Sequence, residues 1–164
     1  MPNGPIEYPY LPEGRTFGYV PEHNVFMRMA KEFAEHRSLD EVMPGGALIV
    51  RAGFIIGQGA NGSNYHKEQP CQRVILGCKT GEGYELCEGC HPKNHSESRA
   101  VNDARGGGYD TGKADLYLWG HWWCCKWCWD VMIEAGIKDV YLLEGSEALF
   151  NKNHPGNIVG KQFV

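Results

Sequence analysis

The sequence has no long apolar run, no excess of basic residues and no recognisable export signal. No stretch approaches the roughly 20 apolar residues that a membrane-spanning helix requires. The opening residues MPNGPIEYPY contain neither a basic nor an apolar segment, so they do not resemble a secretory signal. The formal net charge is −4, which disfavours a broad nucleic-acid-binding groove. These absences predict a cytoplasmic protein without a membrane partner, and they disfavour a nucleic-acid partner.

The composition is that of an ordinary globular protein. The 164 residues are about enough for one domain with a sizeable core, and 42% hydrophobic with 22% charged residues does not suggest disorder. Seven cysteines in a chain without an export signal argue against a disulfide framework. Cysteines of this kind, grouped in CxxC pairs, predict metal binding.

The pattern along the chain predicts an irregular N-terminal arm at residues 1–22 and a domain at residues 23–164. The arm contains five prolines with aromatic residues between them. A helix with Asn24 as its N-cap follows, and then two short apolar runs at 47–50 and 54–57 that predict a β-hairpin.

The second half of the domain alternates between helical and strand patterns. A glycine-rich and cysteine-rich insertion at about residues 63–91 has little periodicity, so we expect something to tie it down. After it, the sequence predicts a helix at 96–105, a strand at 116–119, a helix at 127–135 and a strand at 140–143. This order predicts a three-layer α/β/α domain with a mixed central sheet.

Two short motifs carry the chemistry, each at the start of a predicted helix. His95-Ser96-Glu97 opens one helix, and Cys125-Lys126-Trp127-Cys128 opens the next. Cysteines three residues apart on a first turn direct both sulfurs to one point. The positive ends of two helix dipoles would favour thiolates and a metal-bound hydroxide between them.

The residues His95, Cys125 and Cys128 provide three zinc ligands. Three protein ligands leave the fourth zinc position open for water, as in a catalytic site, and zinc brings the pKa of that water to about 7. Glu97 is then placed to act as the general acid/base that moves protons from water to the leaving amine. A structural zinc site or a reduced CxxC pair is the alternative, but it explains neither Glu97 nor the open position.

A second group of cysteines lies in the insertion. Cys71, Cys78, Cys87 and Cys90 are candidate ligands of a structural zinc, and Cys87-Glu-Gly-Cys90 among them has the spacing of a zinc knuckle. His91 could replace one of these cysteines as a ligand. The alternative is a set of free thiols in a loop.

With these motifs the chain resembles the cytidine/deoxycytidylate deaminase superfamily, whose pattern is H-x-E…P-C-x-x-C. The resemblance extends over about residues 23–145. It is nearest to deoxycytidylate (dCMP) deaminases, on the segments GALIV (46–50), IIGQGANG (55–62) and CKWCWDVMIEAGIKDVYL (125–142).

The resemblance implies a function and further site residues. It implies zinc-dependent conversion of dCMP to dUMP and ammonia, with a small-molecule nucleotide as substrate. Asn61 matches a loop asparagine that contacts the sugar, and Ser96 replaces an alanine whose backbone faces the base. Trp122 lies where polynucleotide cytidine deaminases carry a tryptophan beside the base. It also implies a homo-oligomer and leaves regulation by nucleoside triphosphate effectors open.

Three departures from the family pattern bear on the choice of substrate. Cys124 stands where the family has proline and is predicted to be a buried thiol, the segment 121–123 is unusual for nucleotide deaminases, and the insertion is long. A nucleoside, a free base such as guanine, or a base in tRNA or single-stranded DNA therefore remain alternative substrates. A zinc-stabilised binding module is the alternative from another class. Five arginines are candidates for binding a phosphate: Arg37, Arg51, Arg73, Arg99 and Arg105.

Overall fold

A five-stranded mixed sheet forms the centre of the fold. The computed structural model describes residues 6–79 and 81–163; residues 1–5 of the predicted arm, Thr80 in the insertion and Val164 lie outside the described residues. The strands are β1 (Phe17–Val20), β2 (Gly46–Arg51), β3 (Phe54–Ala60), β4 (Asp115–Trp119) and β5 (Asp139–Leu143). The helices are α1 (Val25–Arg37), α2 (Tyr65–Glu68), α3 (Gln72–Ile75), α4 (Ser96–Gly106), α5 (Lys126–Glu134) and α6 (Ser146–Phe150).

The strand order confirms the predicted mixed sheet. The strands lie in the order β1-β5-β4-β2-β3, in which β1 and β4 flank β5 in parallel and the β2–β3 hairpin is antiparallel. Ala52 and Gly53 both have positive φ, as the tight turn of a two-residue hairpin requires. Within the described residues, no helix has the length and apolar character needed to cross a membrane.

Two hydrophobic cores lie on opposite faces of the sheet and produce the predicted three layers. On one face, α1 packs through Met27, Ala30 and Ala34 with Leu48 and Trp119. As predicted, the Asn24 side chain caps this helix by accepting from the backbone of Phe26 and Met27. On the other face, α4 and α5 pack against the inward residues of β2, β4 and β5.

Helix α4 lies unusually close to β3 because glycines face it. A Cβ at Gly57 would lie 2.5 Å from the carbonyl oxygen of Ala100, and a Cβ at Gly59 would lie 2.5 Å from the backbone nitrogen of Ala100. Any side chain at either position would have to displace the helix backbone. The glycines of IIGQGANG therefore fix where α4 begins.

The prediction of an irregular arm is wrong for the last part of residues 1–22. Residues Phe17–Val20 form β1, an edge strand that pairs in parallel with β5 from Phe17↔Val140 to Val20↔Leu143. The Phe17 ring packs 5.3 Å from the ring of Trp129, which anchors the strand on the α5 face. Four residues are too few for a strand pattern to stand out among prolines, so the pairing depends on β5 being present.

We expect Gly57→Ala to lower the free energy of unfolding by about 1–3 kcal/mol, because the added methyl group overpacks the α4–β3 contact. Gly106→Ala is the matched control, since nothing lies within 4 Å of a Cβ built there and its φ is not positive. That change should leave the free energy of unfolding unaltered or raise it by less than about 1 kcal/mol. Urea unfolding of both variants measures the difference, and equal values would contradict the close approach.

Candidate metal centre and substrate cavity

The three predicted ligands of the catalytic zinc lie together at the starts of two helices. Nδ1 of His95 is 3.6 Å from Sγ of Cys125 and 3.5 Å from Sγ of Cys128. All three ligand atoms lie within 4.8 Å of one another. His95 immediately precedes α4, and Cys125 immediately precedes α5 with Cys128 on its first turn. The structure therefore brings these three side chains to one point, as the motif spacing predicts.

The surroundings of the sulfur atoms favour one thiolate strongly. The hydrogen bond from Cys128 lowers the pKa of Cys125 to about 6 against the effect of burial, and His95 contributes in the same direction. Burial raises the pKa of the Cys128 thiol, and the neighbouring sulfur raises it further. Two thiolates side by side repel each other unless a cation lies between them.

The donor set fits zinc. One imidazole nitrogen and two sulfurs within 4.8 Å match the His/Cys ligands that zinc prefers, and they leave one tetrahedral position for water or substrate. Burial lowers the pKa of His95, but the hydrogen bond and charge of Cys125, the charge of Glu97 and the backbone of Cys90 together raise it above its usual value. Such an outer contact orients a metal-binding histidine.

Glu97 lies on the first turn of α4, next to the three ligands but outside their group. Its side chain is 4% exposed, and Oε1 accepts a hydrogen bond of 2.9 Å from Oγ of Ser96. The residue lines the same cavity as His95 and Cys125. This is the position that a proton-transferring carboxylate beside the metal requires.

The cavity above these residues has a volume of about 730 Å³, within the usual range for small-molecule sites. Its walls include residues from the arm, the loop after α1, the segment after β3, the insertion, the start of α4, the segment after β4 and the segment after α6. The ring of Tyr8 packs 5.3 Å from that of Trp123. A Cβ at Gly81 would lie 2.5 Å from the Tyr8 ring, so the arm also contacts the insertion.

A second group of metal-ligating side chains lies in the insertion. His66, Cys71, Cys87 and Cys90 place four ligand atoms within 4.8 Å of one another. Nε2 of His66 is 3.2 Å from Sγ of Cys87, and Sγ of Cys71 is 3.7 Å from Sγ of Cys90. A Cβ at Gly89 would lie 2.7 Å from Nε2 of His66, so the glycine of the knuckle makes room for the imidazole. Four protein donors fit a closed structural zinc site.

The members of this group differ from the predicted set of four cysteines. Cys78 is not one of the four, since its sulfur lies against Gly83, where a Cβ would be 2.8 Å away. His66 takes the fourth place, and His91 does not. Instead, Nδ1 of His91 accepts a hydrogen bond from the backbone of Lys93. Sequence spacing in an aperiodic loop does not reveal which side chains turn inward.

The residues predicted to contact substrate lie in different surroundings. Asn61 and Trp122 line the cavity. Ser96 is fully buried and is not among the described residues that line it; its hydroxyl contacts Glu97 instead. Cys124 is buried, as predicted, and belongs to neither donor group of the described chain. The substrate contacts of Asn61, Ser96 and Trp122 remain predictions.

The sequence patterns did not predict most of the cationic side chains that line the cavity. Among the five candidate arginines, Arg73 alone lines the cavity within the described residues, whereas Lys67 and Lys152 line it without having been predicted. Their positions depend on how the insertion and the C-terminal segment fold, so no local motif marks them. His66 and His121 were likewise missed, because each is a single histidine without a spacing pattern.

Residues 20–144 match the family model described as the cytidine and deoxycytidylate deaminase zinc-binding region. This match covers well over half of the chain, so the chain belongs to this family. No curated protein matches the chain significantly.

The chain is similar in fold to several solved structures. The dCMP deaminase of cyanophage S-TIM5, in apo form, is 22% identical with a TM-score of 0.49, over 71% of this chain and 78% of that one. Guanine deaminase from Bacillus subtilis is 21% identical with a TM-score of 0.47, over 77% of this chain and 68% of that one. A diaminohydroxyphosphoribosylaminopyrimidine deaminase/5-amino-6-(5-phosphoribosylamino)uracil reductase from Thermotoga maritima is 26% identical with a TM-score of 0.44. That match covers 71% of this chain but only 28% of the Thermotoga protein.

We expect the purified protein to contain two zinc ions per chain, one in each donor group. Cys71→Ser should reduce this to one and lower the thermal stability, because the order of the insertion depends on its metal. Cys78→Ser is the matched control: it changes a half-buried cysteine of the same loop that lies outside the group, and it should retain both ions. Elemental analysis decides; a wild type with one zinc, or equal losses in the two variants, would contradict the second site.

Proposed function

We propose that the protein is a hydrolytic deaminase of a free pyrimidine nucleotide and that it converts dCMP to dUMP and ammonia. The observation that carries the proposal is the buried Glu97 carboxylate beside the His95/Cys125/Cys128 donor group on the wall of one cavity. Membership of the deaminase family supports the reaction class. The particular substrate is the finer part of the proposal and is argued from the cavity.

The chemistry requires one metal and one carboxylate. Bound zinc supplies a Lewis acid that lowers the pKa of a coordinated water to about 7. Glu97 accepts a proton from the attacking water and delivers it to the ring nitrogen next to the carbon under attack. The same carboxylate then transfers the second proton of that water to the departing amine. One water is consumed, the C–N bond breaks, and ammonia and a carbonyl group are produced.

Ser96 holds the carboxylate in place for these transfers. Its hydroxyl donates to Oε1 of Glu97 at 2.9 Å, and Ser96 itself is fully buried. This donor satisfies Oε1, one of the two carboxylate oxygens. The bond also restricts the rotation of the side chain, so the carboxylate keeps one orientation through both transfers.

The walls of the cavity favour a single nucleotide over a polymer. Tyr8 and Pro9 from the arm, the insertion around His66, and the segment from Asn151 to Asn153 all border the cavity. A strand passing through the site would have to leave between these segments. The net charge of −4 is also unfavourable for a long phosphate backbone.

Two lysines on these walls are suited to a phosphate group. Lys67 and Lys152 are exposed at the cavity, and neither has a carboxylate within 4 Å among the described residues. Arg73 is less suited, because it donates to the carbonyls of Lys79 and Glu82 and stacks 4.3 Å from the centre of the Tyr84 ring. A single phosphate needs only one or two local cations.

One observation favours a second substrate class. Trp122 is half-buried in the cavity wall and near Trp123, with their ring centres 6.4 Å apart. A half-buried aromatic ring in a cavity wall can stack on a base of a single strand. A nucleoside, guanine and an oligonucleotide are therefore alternative substrates to dCMP. The homo-oligomer and the nucleoside triphosphate effectors remain predictions from the family resemblance.

We expect Glu97→Gln to retain zinc and fold but to lose at least about 100-fold in the rate of ammonia release, since proton transfer is lost while the ligands stay. Cys128→Ser should lose the catalytic zinc itself. Elemental analysis and an ammonia assay separate the two effects. An active Glu97→Gln enzyme would show that another group transfers the protons.

We expect dCMP to exceed deoxycytidine in kcat/KM by about tenfold or more, the effect of one charge-assisted contact. Replacing Lys67 and Lys152 together by Ala should remove most of that advantage by raising KM for dCMP, with little change for deoxycytidine. Lys138→Ala, an exposed lysine outside the cavity, is the control. Equal values for nucleotide and nucleoside, or a preference for guanine or a cytosine-containing oligonucleotide, would contradict the dCMP assignment.

A further inference from the structure

The donor group of the insertion differs from the catalytic donor group in its exposure. Cys71 and Cys90 are partly exposed, and His66 beside them is exposed. Cys125 and Cys128, by contrast, are only 6% and 0% exposed. The oxidation of a cysteine depends on access to its sulfur. A small oxidant in solution therefore reaches the sulfurs of the insertion more readily than the buried catalytic pair.

The two partly exposed sulfurs of the insertion are also neighbours. Sγ of Cys71 lies 3.7 Å from Sγ of Cys90. Sulfurs at two corners of a zinc tetrahedron lie about 3.8 Å apart, since each Zn–S bond is about 2.3 Å long. The observed separation therefore fits two ligands of one ion. A disulfide bond of about 2.05 Å requires the same two sulfurs to approach each other by only about 1.7 Å.

The other thiols of the insertion are less suited to such a bond. Cys87 is fully buried, and its sulfur lies 3.2 Å from Nε2 of His66. Cys78 lies outside the donor group, with its sulfur close to Gly83. The thiols that are both exposed and in contact are therefore those of residues 71 and 90.

Cys90 connects this pair to the substrate cavity. Cys90, Gly89 and His66 all line the cavity. Nη1 of Arg73, another lining residue, lies 3.9 Å from Sγ of Cys90. The same guanidinium stacks 4.3 Å from the centre of the Tyr84 ring, which also lines the cavity. A change in the bonding of Cys90 therefore alters a wall of the cavity.

We propose that Cys71 and Cys90 form a reversible redox site, at which a peroxide converts the two thiolates to a disulfide and the insertion loses its zinc. This modification goes beyond the deaminase function and does not depend on it. The disulfide removes two of the four protein ligands that a closed structural zinc site requires. The catalytic group keeps its three donors, so the modification changes the cavity wall and leaves the catalytic metal in place.

The oxidation transfers two electrons from the two sulfurs to the peroxide. The thiolate of Cys90 attacks one oxygen of hydrogen peroxide, the O–O bond breaks, and a sulfenic acid and a hydroxide ion form. The thiolate of Cys71 then attacks that sulfur, the S–S bond forms, and a second hydroxide ion leaves. Two protons from solvent convert the hydroxide ions to water. Two molecules of a thiol such as glutathione reverse the change and are themselves oxidised to a disulfide.

Treatment of the zinc-loaded wild type with hydrogen peroxide tests the site directly. We expect release of about one zinc per chain, measured with a chromogenic chelator, and retention of the other. Peptide mapping without reduction should show Cys71 joined to Cys90. Cleavage after Glu88 and other glutamates, together with cleavage after lysine and arginine, places each of these two cysteines in a peptide without another cysteine. A thiol reductant with added zinc should restore the original map and zinc content.

Two variants separate the redox site from a general loss of structure. Cys71→His keeps a fourth zinc ligand but removes one sulfur, so it should retain both ions after peroxide treatment. Cys78→Ser is the matched control, since it removes a half-buried thiol of the same loop outside the donor group, and it should respond as the wild type does. If Cys71→His does not fold, the peptide map of the wild type still decides.

The outcomes that would overturn the site are distinct from those that test the deaminase. A Cys87–Cys90 disulfide, earlier oxidation of the Cys125–Cys128 pair, or zinc fully retained by the oxidised wild type would each do so, and none requires a substrate. The effect on the cavity is a further readout that rests on the proposed function. Oxidation should lower kcat/KM for dCMP by about fivefold or more, reversibly. An unchanged kcat/KM in the oxidised, active enzyme would overturn the link to the cavity.

Discussion

The active-site geometry depends on the meeting of two helix starts at one point. His95 precedes α4 and Cys125 precedes α5, so their backbone positions are set by how these helices lie on the sheet. The absence of side chains at Gly57 and Gly59 lets α4 approach β3 closely. Without that approach, His95 would move away from the sulfur atoms, and the three donors would no longer share one metal.

The parts of the site that the sequence predicts are those held by short-range geometry. The spacing of Cys125 and Cys128 on one helical turn brings their sulfurs together. His95 and Glu97 lie at the N-terminal edge of another helix, where both side chains can lean toward one point. The two motifs come together because strands and helices alternate along the chain. The observed strand order confirms that predicted mixed sheet. Local periodicity was therefore sufficient for the fold class and for the first metal group.

The ligands in the insertion could be predicted from the sequence only in part. The knuckle Cys87–Cys90 was predicted, but His66 rather than Cys78 completes its group. Gly77, which precedes Cys78, and Gly81 and Gly83, which lie between Cys78 and the knuckle, all have positive φ. In such a segment the direction of a side chain depends on contacts with distant residues, so spacing carries no information about it. The cavity lysines were missed for the same reason.

The insertion also links substrate choice to the metal chemistry. The ring of Tyr84 packs edge-on at 5.1 Å from the ring of His95, and the Tyr84 ring is covered on its face by Arg73. The backbone of Cys90, a member of the second donor group, raises the pKa of the same histidine. One segment therefore forms a wall of the cavity and contacts His95, a predicted ligand of the catalytic zinc. Because an outer contact that orients a ligand affects metal affinity as well as geometry, changes in this segment act on both substrate binding and the metal.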